Sequence, residues 1–206
     1  MNKTQKNISL GILSVSNPEF VFLSSNGTVI SQKEVTRKPD EPNRIVTSCI
    51  DIMEESNISM SNIDQYIVLS GPGSLTGIRV GLSPIRAWSY ITGKPIVALS
   101  SLEALAHGRE GSILALIPAR RDHFWIQPFS NGEPEAPRII EVSFLEQYNT
   151  PEWTWVCPQP LEPSKAKFLQ NHLSPETITK LASTKKAQPW MKVLPTYLFE
   201  MDNGIG

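Results

Sequence analysis

The chain has 206 residues, 40% of them apolar, and its 19 basic and 20 acidic side chains leave a formal charge of −1. This length suits one large or two small domains with an ordinary core, and the balanced charge argues against strong unaided binding of nucleic acid, which needs an excess or cluster of Lys and Arg. Two cysteines, Cys49 and Cys157, have neither metal-ligand spacing nor the density of a disulfide scaffold, so free thiols in a reducing cytoplasm are expected.

The stretch Met1 to Asn7 is polar and is followed by too few apolar residues for a leader or a membrane span, so a soluble, cytoplasmic protein with no membrane contact is expected. Ile8 to Val15, Phe20 to Ser24 and Thr28 to Val35 read as three strands, the last two joined at Asn26-Gly27, a strong hairpin signal. Arg44 to Ser56 places Ile45, Val46, Cys49, Ile50, Ile52 and Met53 at helical spacing, with Pro42 before it and Asn57 near its end. Ile67 to Leu69 is a short buried strand that runs into Ser70-Gly71-Pro72-Gly73-Ser74-Leu75-Thr76-Gly77-Ile78-Arg79-Val80-Gly81-Leu82. Two glycines and a proline end the strand there, and Ser74 or Thr76 can cap the following helix, whose first N–H groups then suit an anion or another polar partner. By spacing alone the loop is either a phosphate cradle or a plain strand-to-helix turn. It is not a Walker A motif, because no Lys-Ser or Lys-Thr follows the last glycine, and it lacks the dinucleotide fingerprint.

The next helix spans Thr76 to Ile91, and Gly93-Lys94-Pro95 breaks it before a strand at Ile96 to Leu99. This alternation implies parallel pairing with right-handed crossovers in an α/β fold. Pro84 either bends that helix at a cost of about 3 kcal/mol or stands at its first position if the helix begins at Ser83. Beyond it, Ile113 to Ile117 and His123 to Phe129 read as a hairpin across Arg120-Arg121-Asp122. After Asn131-Gly132 prolines recur, which leaves a strand at Thr154 to Cys157 and helices near Ser164 to Asn171 and Pro175 to Ala182. No internal repeat or low-complexity tract is visible.

The segment Gly71 to Leu82 resembles the signature of the TsaB (YeaZ) family, written GPGSFTGLRIG. The likeness continues through Pro95 to Ala106, through Ala119-Arg120-Arg121-Asp122 and at Pro195-Thr196-Tyr197-Leu198, and it is strongest from Ile63 to Ala106 and weak from Asn131 to Lys192. It implies an actin/Hsp70-like (ASKHA) fold of two ribonuclease-H-like lobes, here residues 8–108 and a reduced, loop-rich 109–206. It also implies a non-catalytic partner of TsaD in forming threonylcarbamoyladenosine beside the tRNA anticodon. The partners implied are a TsaD-like protein, a TsaE-like ATPase, and a second copy when the chain is alone, with tRNA reached only indirectly. No cofactor of the chain's own is implied, although the resemblance leaves room for ATP or ADP at a partner interface, with Gly71, Gly73, Ser74, Thr76 and Gly77 as the residues that would line it.

Several positions depart from the family pattern. Members carry Ile-Asp-Thr-Ser where this chain has Leu13-Ser14-Val15-Ser16, and a hydroxyl at Ser14 cannot replace an anionic oxygen for a hard cation, so autonomous ATP chemistry is not expected. The usual His-Ser-Glu start of the first helix becomes Pro42-Asn43-Arg44, and Pro118 stands where an Asp often precedes Ala-Arg. Other chemistry is scarce. His107, His123 and His172 lack metal-ligand spacing, Ser74 lacks the Gly-x-Ser-x-Gly elbow of a serine hydrolase, Arg120-Arg121 reads as a solvated hairpin tip, and Trp153 and Trp155 read as core cover.

The resemblance places partner contact on the first two helices. In this chain that surface comprises Val46, Ile50 and Met53 with Arg79, Leu82 and Arg86, on faces that in the alternative pack on the sheet. Two other classes of function stay open. One is a phosphotransferase of the same superfold that holds ATP or phosphate at Gly71 to Gly77; the other is a homodimeric structural module that has left tRNA modification.

Overall fold

The computed structural model describes residues 7–15, 17–36 and 43–196. Of the positions compared with the family pattern, Ser16, Pro42, Tyr197 and Leu198 lie outside the described residues. The first sheet has the order β3-β2-β1-β4-β5. Its strands are β1 (Ile8–Leu13), β2 (Glu19–Ser25), β3 (Thr28–Val35), β4 (Gln65–Gly71) and β5 (Ile96–Ser100). β1, β2 and β3 pair antiparallel, whereas β1, β4 and β5 pair parallel. The crossovers between the parallel strands are α1 (Arg44–Glu55) and α2 (Leu75–Thr92), and α3 (Ser101–Ala106) follows β5.

The two-residue period of a strand explains why these runs are apolar throughout. Along β4, Tyr66 and Val68 enter a core beneath α1 and α2, while Ile67 and Leu69 enter a second core on the opposite face. That second core is shared with the other sheet. It joins Val97 and Leu99 of β5, Leu102 and Leu105 of α3, and Ile178 and Leu181 of α4 (Pro175–Ser183) to Ile113, Ala115, Trp125 and Val156 of the second sheet.

The second sheet runs β11-β10-β6-β7-β8, with β9 also on β7. Its strands are β6 (Ser112–Pro118), β7 (His123–Ser130), β8 (Glu133–Pro134), β9 (Arg138–Glu141), β10 (Trp153–Cys157) and β11 (Lys167–Gln170). An antiparallel hairpin, β6 and β7, again adjoins two parallel strands, β10 and β11, so the pattern of the first sheet repeats. Its outer face is covered by the 3-10 turn Val142–Tyr148 and by Ala166, over Leu114, Leu116, Ile126 and Trp155. Trp153 and Trp155 both join that cover, and the Trp155 indole donates to the Tyr148 carbonyl at 2.9 Å.

The helix expected near Ser164 to Asn171 is instead strand β11. Its backbone pairs with β10 from Lys167 to Gln170, and this pairing decides a four-residue segment whose local preference is weak. α4 belongs to the later half of the chain yet packs on the first sheet, against β2, β3 and β5. The segment after α4 follows it. Gln188 exchanges two backbone hydrogen bonds with Ile96, and the Thr196 N–H donates to the Ser70 carbonyl at 2.8 Å. No helix among the described residues is long and apolar enough to cross a membrane.

Candidate functional site

β4 ends at the glycine-rich loop as the sequence predicts. Ser74 is the residue that caps α2, accepting from the Gly77 N–H at 3.2 Å, and the helix continues through Pro84 to Thr92. Pro84 therefore stands inside the helix, where it withholds one N–H from the ladder.

The loop glycines are explained by close packing. A Cβ at Gly77 would lie 2.1 Å from the Ser14 carbonyl oxygen, and one at Gly81 would lie 2.3 Å from Ser14 Oγ. Ser14, buried at the end of β1, donates its hydroxyl to the Gly77 carbonyl at 2.7 Å. At Gly71, with φ +112°, a Cβ would sit 2.9 Å from the Thr196 carbonyl oxygen. The first turns of α2 thus lie directly on β1, and the space below Gly77 is filled by the chain itself.

Beside this loop a cavity of about 530 Å3 opens between the two sheets, lined by Pro72, Gly73 and Ser74 on one side and by Pro118, Ala119 and His172 on others. Gly71, Thr76 and Gly77 do not line it. Among the described residues its walls carry no Asp, Glu, Lys or Arg. A metal–nucleotide complex would find no carboxylate for its cation and no Lys or Arg for its phosphates. The residues present do not fit that group. His123 is exposed at the start of β7, His107 follows α3 on another face, and Arg120 and Arg121 are exposed at the hairpin tip. Among the described residues no three His, Cys, Asp or Glu side chains come together as metal ligands. Both thiols are free and buried. Burial pushes Cys49 well above the ordinary thiol range and Cys157 up to about 11.

A second feature lies on α2. Arg79, Leu82, Arg86 and Tyr90 recur at helical spacing and, with Trp190 and Pro195 from the segment after α4, line a groove of about 430 Å3. Arg86 rests over the Trp190 ring at 5.6 Å, and Tyr90 meets that ring edge-on at 5.3 Å. Tyr90 is 68% exposed.

The expected partner surface therefore divides. Ile50 is 45% exposed, Val46 is half-buried, and Arg79 and Arg86 border the groove. Met53 and Leu82 are only 7% and 4% exposed and belong to the core under α1 and α2. The correction has a geometric reason: the row Ile45, Cys49, Ile52, Met53 faces the sheet, so Met53 cannot share the outward row of Ile50. Sequence reasoning missed Tyr90, Trp190 and Pro195. Tyr90 stands four residues beyond Arg86 and was open to a spacing argument, whereas nothing local ties residues 190–195 to α2.

Residues 41–146, just over half of the chain, match the family model described as TsaD: tRNA N6-adenosine threonylcarbamoyltransferase. The chain is 28% identical over 117 residues to the Bacillus subtilis tRNA threonylcarbamoyladenosine biosynthesis protein TsaB, an alignment covering 54% of this chain and 51% of that protein. It is 34% identical over 124 residues to the Ehrlichia canis tRNA N6-adenosine threonylcarbamoyltransferase, covering 52% of this chain and 34% of that one. The chain belongs to the TsaB/YeaZ family. YeaZ from Pseudomonas aeruginosa superimposes with a TM-score of 0.70 at 18% identity, covering 93% of this chain and all of that one. The fold is accordingly that of YeaZ, an α/β architecture. The chain spans about a third to a half of the length of the curated relatives named here.

Proposed function

We propose that this chain is a non-catalytic partner subunit of a TsaD-like protein in forming threonylcarbamoyladenosine in tRNA beside the anticodon, and that it reaches tRNA through that partner. The observation that carries the reading is the outward side of α1 and α2. Ile50 and Tyr90 are solvent-exposed on helices that already bury a separate apolar row against the sheet. Surplus apolar and aromatic surface beside a groove suits a protein interface. Support from the other direction comes from the cavity at Gly73 and Ser74, whose described lining offers a nucleotide no carboxylate for its cation and no Lys or Arg for its phosphates.

Co-purification with a TsaD-like protein from the same organism, followed by reconstitution of the tRNA modification with and without this chain, tests the proposal. A stable complex on which the reaction depends is the expected result. Ile50→Asp combined with Tyr90→Asp touches exposed positions only, and it should abolish association while leaving circular dichroism unchanged. Undiminished binding by that variant, or modification that proceeds equally well without the chain, would sink the reading.

A further inference from the structure

Among the described residues four arginines are half-buried: Arg44, Arg86, Arg109 and Arg138. Three of them are anchored to protein oxygens. Arg44 meets the Glu19 carboxylate at 2.8 Å, Arg109 Nε donates to the Leu105 carbonyl at 2.9 Å, and Arg138 bonds Glu135 at 3.3 Å and the Tyr148 hydroxyl. Arg86 differs. Its Nε, like that of Arg44, is buried without an acceptor, but Arg86 has no hydrogen bond to any oxygen among the described residues and instead lies over the face of Trp190.

A guanidinium nitrogen withdrawn from water without an acceptor is unfavourable, and stacking on an indole recovers only part of that loss. Stacking nevertheless leaves the donor edge available while restraining the planar group. Among the described residues that line the groove there is no carboxylate, and α2 itself contains neither Asp nor Glu. Arg86 therefore brings a positive charge to a surface whose described walls include Leu82, Tyr90, Trp190 and Pro195. Such a wall is chemically suited to a side chain with an apolar stem and an anionic head.

We propose that Arg86 receives the carboxylate of an Asp or Glu presented by a helix of the TsaD-like partner, so that Arg86 and Trp190 set the choice of partner on this face. The proposal rests on the partner role given above. An arginine fork matches a carboxylate through two parallel N–H···O bonds, a geometry that a lysine cannot reproduce. Charge complementarity of this kind contributes more to specificity than a surrounding apolar contact, because a partner lacking the acid leaves the guanidinium unpaired.

The test is titration calorimetry of the full chain against the TsaD-like protein at low and high salt, with Arg86→Leu and Arg86→Lys. Both variants should melt like the parent, since Arg86 anchors to no oxygen among the described residues; if Arg86→Leu fails to fold, Arg86→Lys, which keeps the stem and charge, carries the test alone. Arg86→Leu should weaken binding about 10- to 100-fold, the range for a charge-assisted hydrogen bond, and Arg86→Lys should lose most of the same factor. Neutralising the acidic residues of the partner helix one at a time should reveal one position whose loss is no longer felt in the Arg86→Leu background.

An affinity of Arg86→Leu within twofold of the parent overturns the proposal, as do losses that simply add at every acidic position. It is also overturned if Arg86→Leu alters only self-association in sedimentation, or only affinity for tRNA, while partner affinity is kept. A parent chain that does not bind the TsaD-like protein at all refutes the partner role itself, which separates the two failures.

Discussion

Replacing Ser14 by aspartate would return to β1 the acidic residue that members of the family carry, and the structure predicts that the change destabilises the protein without creating a nucleotide site. Ser14 is 2% exposed, and its hydroxyl donates to the Gly77 carbonyl at 2.7 Å. Ser14→Ala removes that donor at a cost of about 1–2 kcal/mol, which at about 2–4 °C per kcal/mol for a chain of this size lowers Tm by roughly 2–8 °C. Ser14→Asp does more. An ionised carboxylate cannot donate to the carbonyl, it faces that oxygen as a second acceptor, and α2 leaves little room, since a Cβ at Gly81 would already stand 2.3 Å from Ser14 Oγ. An uncompensated buried charge costs on the order of 3–5 kcal/mol.

The carboxyl would escape part of this by staying protonated and donating, so its folded-state pKa would be raised above the unfolded one. The folded state then binds more protons over the interval between the two, and the stability of the variant falls as pH rises through it. Urea unfolding from pH 4 to 8, with the parent and Ser14→Ala beside it, measures this difference. Equal stability of Ser14→Asp and parent at pH 8, or saturable binding of magnesium ATP by the variant, would refute the reasoning.

Three further outcomes are expected. Gly77→Ala drives a methyl to 2.1 Å from the Ser14 carbonyl oxygen, so α2 must shift off β1; a loss of several kcal/mol or insoluble expression should follow, read by thermal unfolding. Glu19 is 1% exposed and holds Arg44 at 2.8 Å, tying β2 to the start of α1, so Glu19→Leu should lower the urea midpoint by the equivalent of about 3–5 kcal/mol through the abandoned guanidinium, with Arg44→Leu added in the same chain restoring part of it. Burial raises both thiols, Cys157 to about 11 from 9.0, so the unfolded state loses its thiol protons first and stability should fall as pH rises above about 9; at pH 8 neither cysteine should react with a thiol reagent until urea is added.

Much of the fold could be read from local pattern because the decisive residues act locally. Asn26-Gly27 makes its hairpin, Ser74 caps α2 three residues before the N–H from which it accepts, and the apolar run from Ile67 to Leu69 reads as a buried strand because both faces of β4 are covered. β11 was misread because Lys167 to Gln170 owes its form to β10 and not to its own residues. The loop glycines illustrate a different limit. A phosphate cradle and a tight helix-on-strand contact both demand a missing Cβ, and only the position of the Ser14 carbonyl distinguishes them. Of the surface residues, Ile50 and Arg86 fell within reach of helical spacing, whereas Met53 required knowing which of two adjacent apolar rows met the sheet. Trp190 lies about a hundred residues from Arg86, and no periodicity spans that distance.

The return of residues 188–196 to the first sheet bears on how the protein is made. Translation delivers α1 and α2 early, together with every strand of the sheet on which they lie, yet Trp190 and Pro195, which wall the groove on α2, leave the ribosome only after the whole second sheet has been synthesised. A nascent or prematurely terminated chain would display Tyr90 and Arg86 without that wall. The groove on α2 is thus finished last, and its completion marks a chain whose two sheets have both been built.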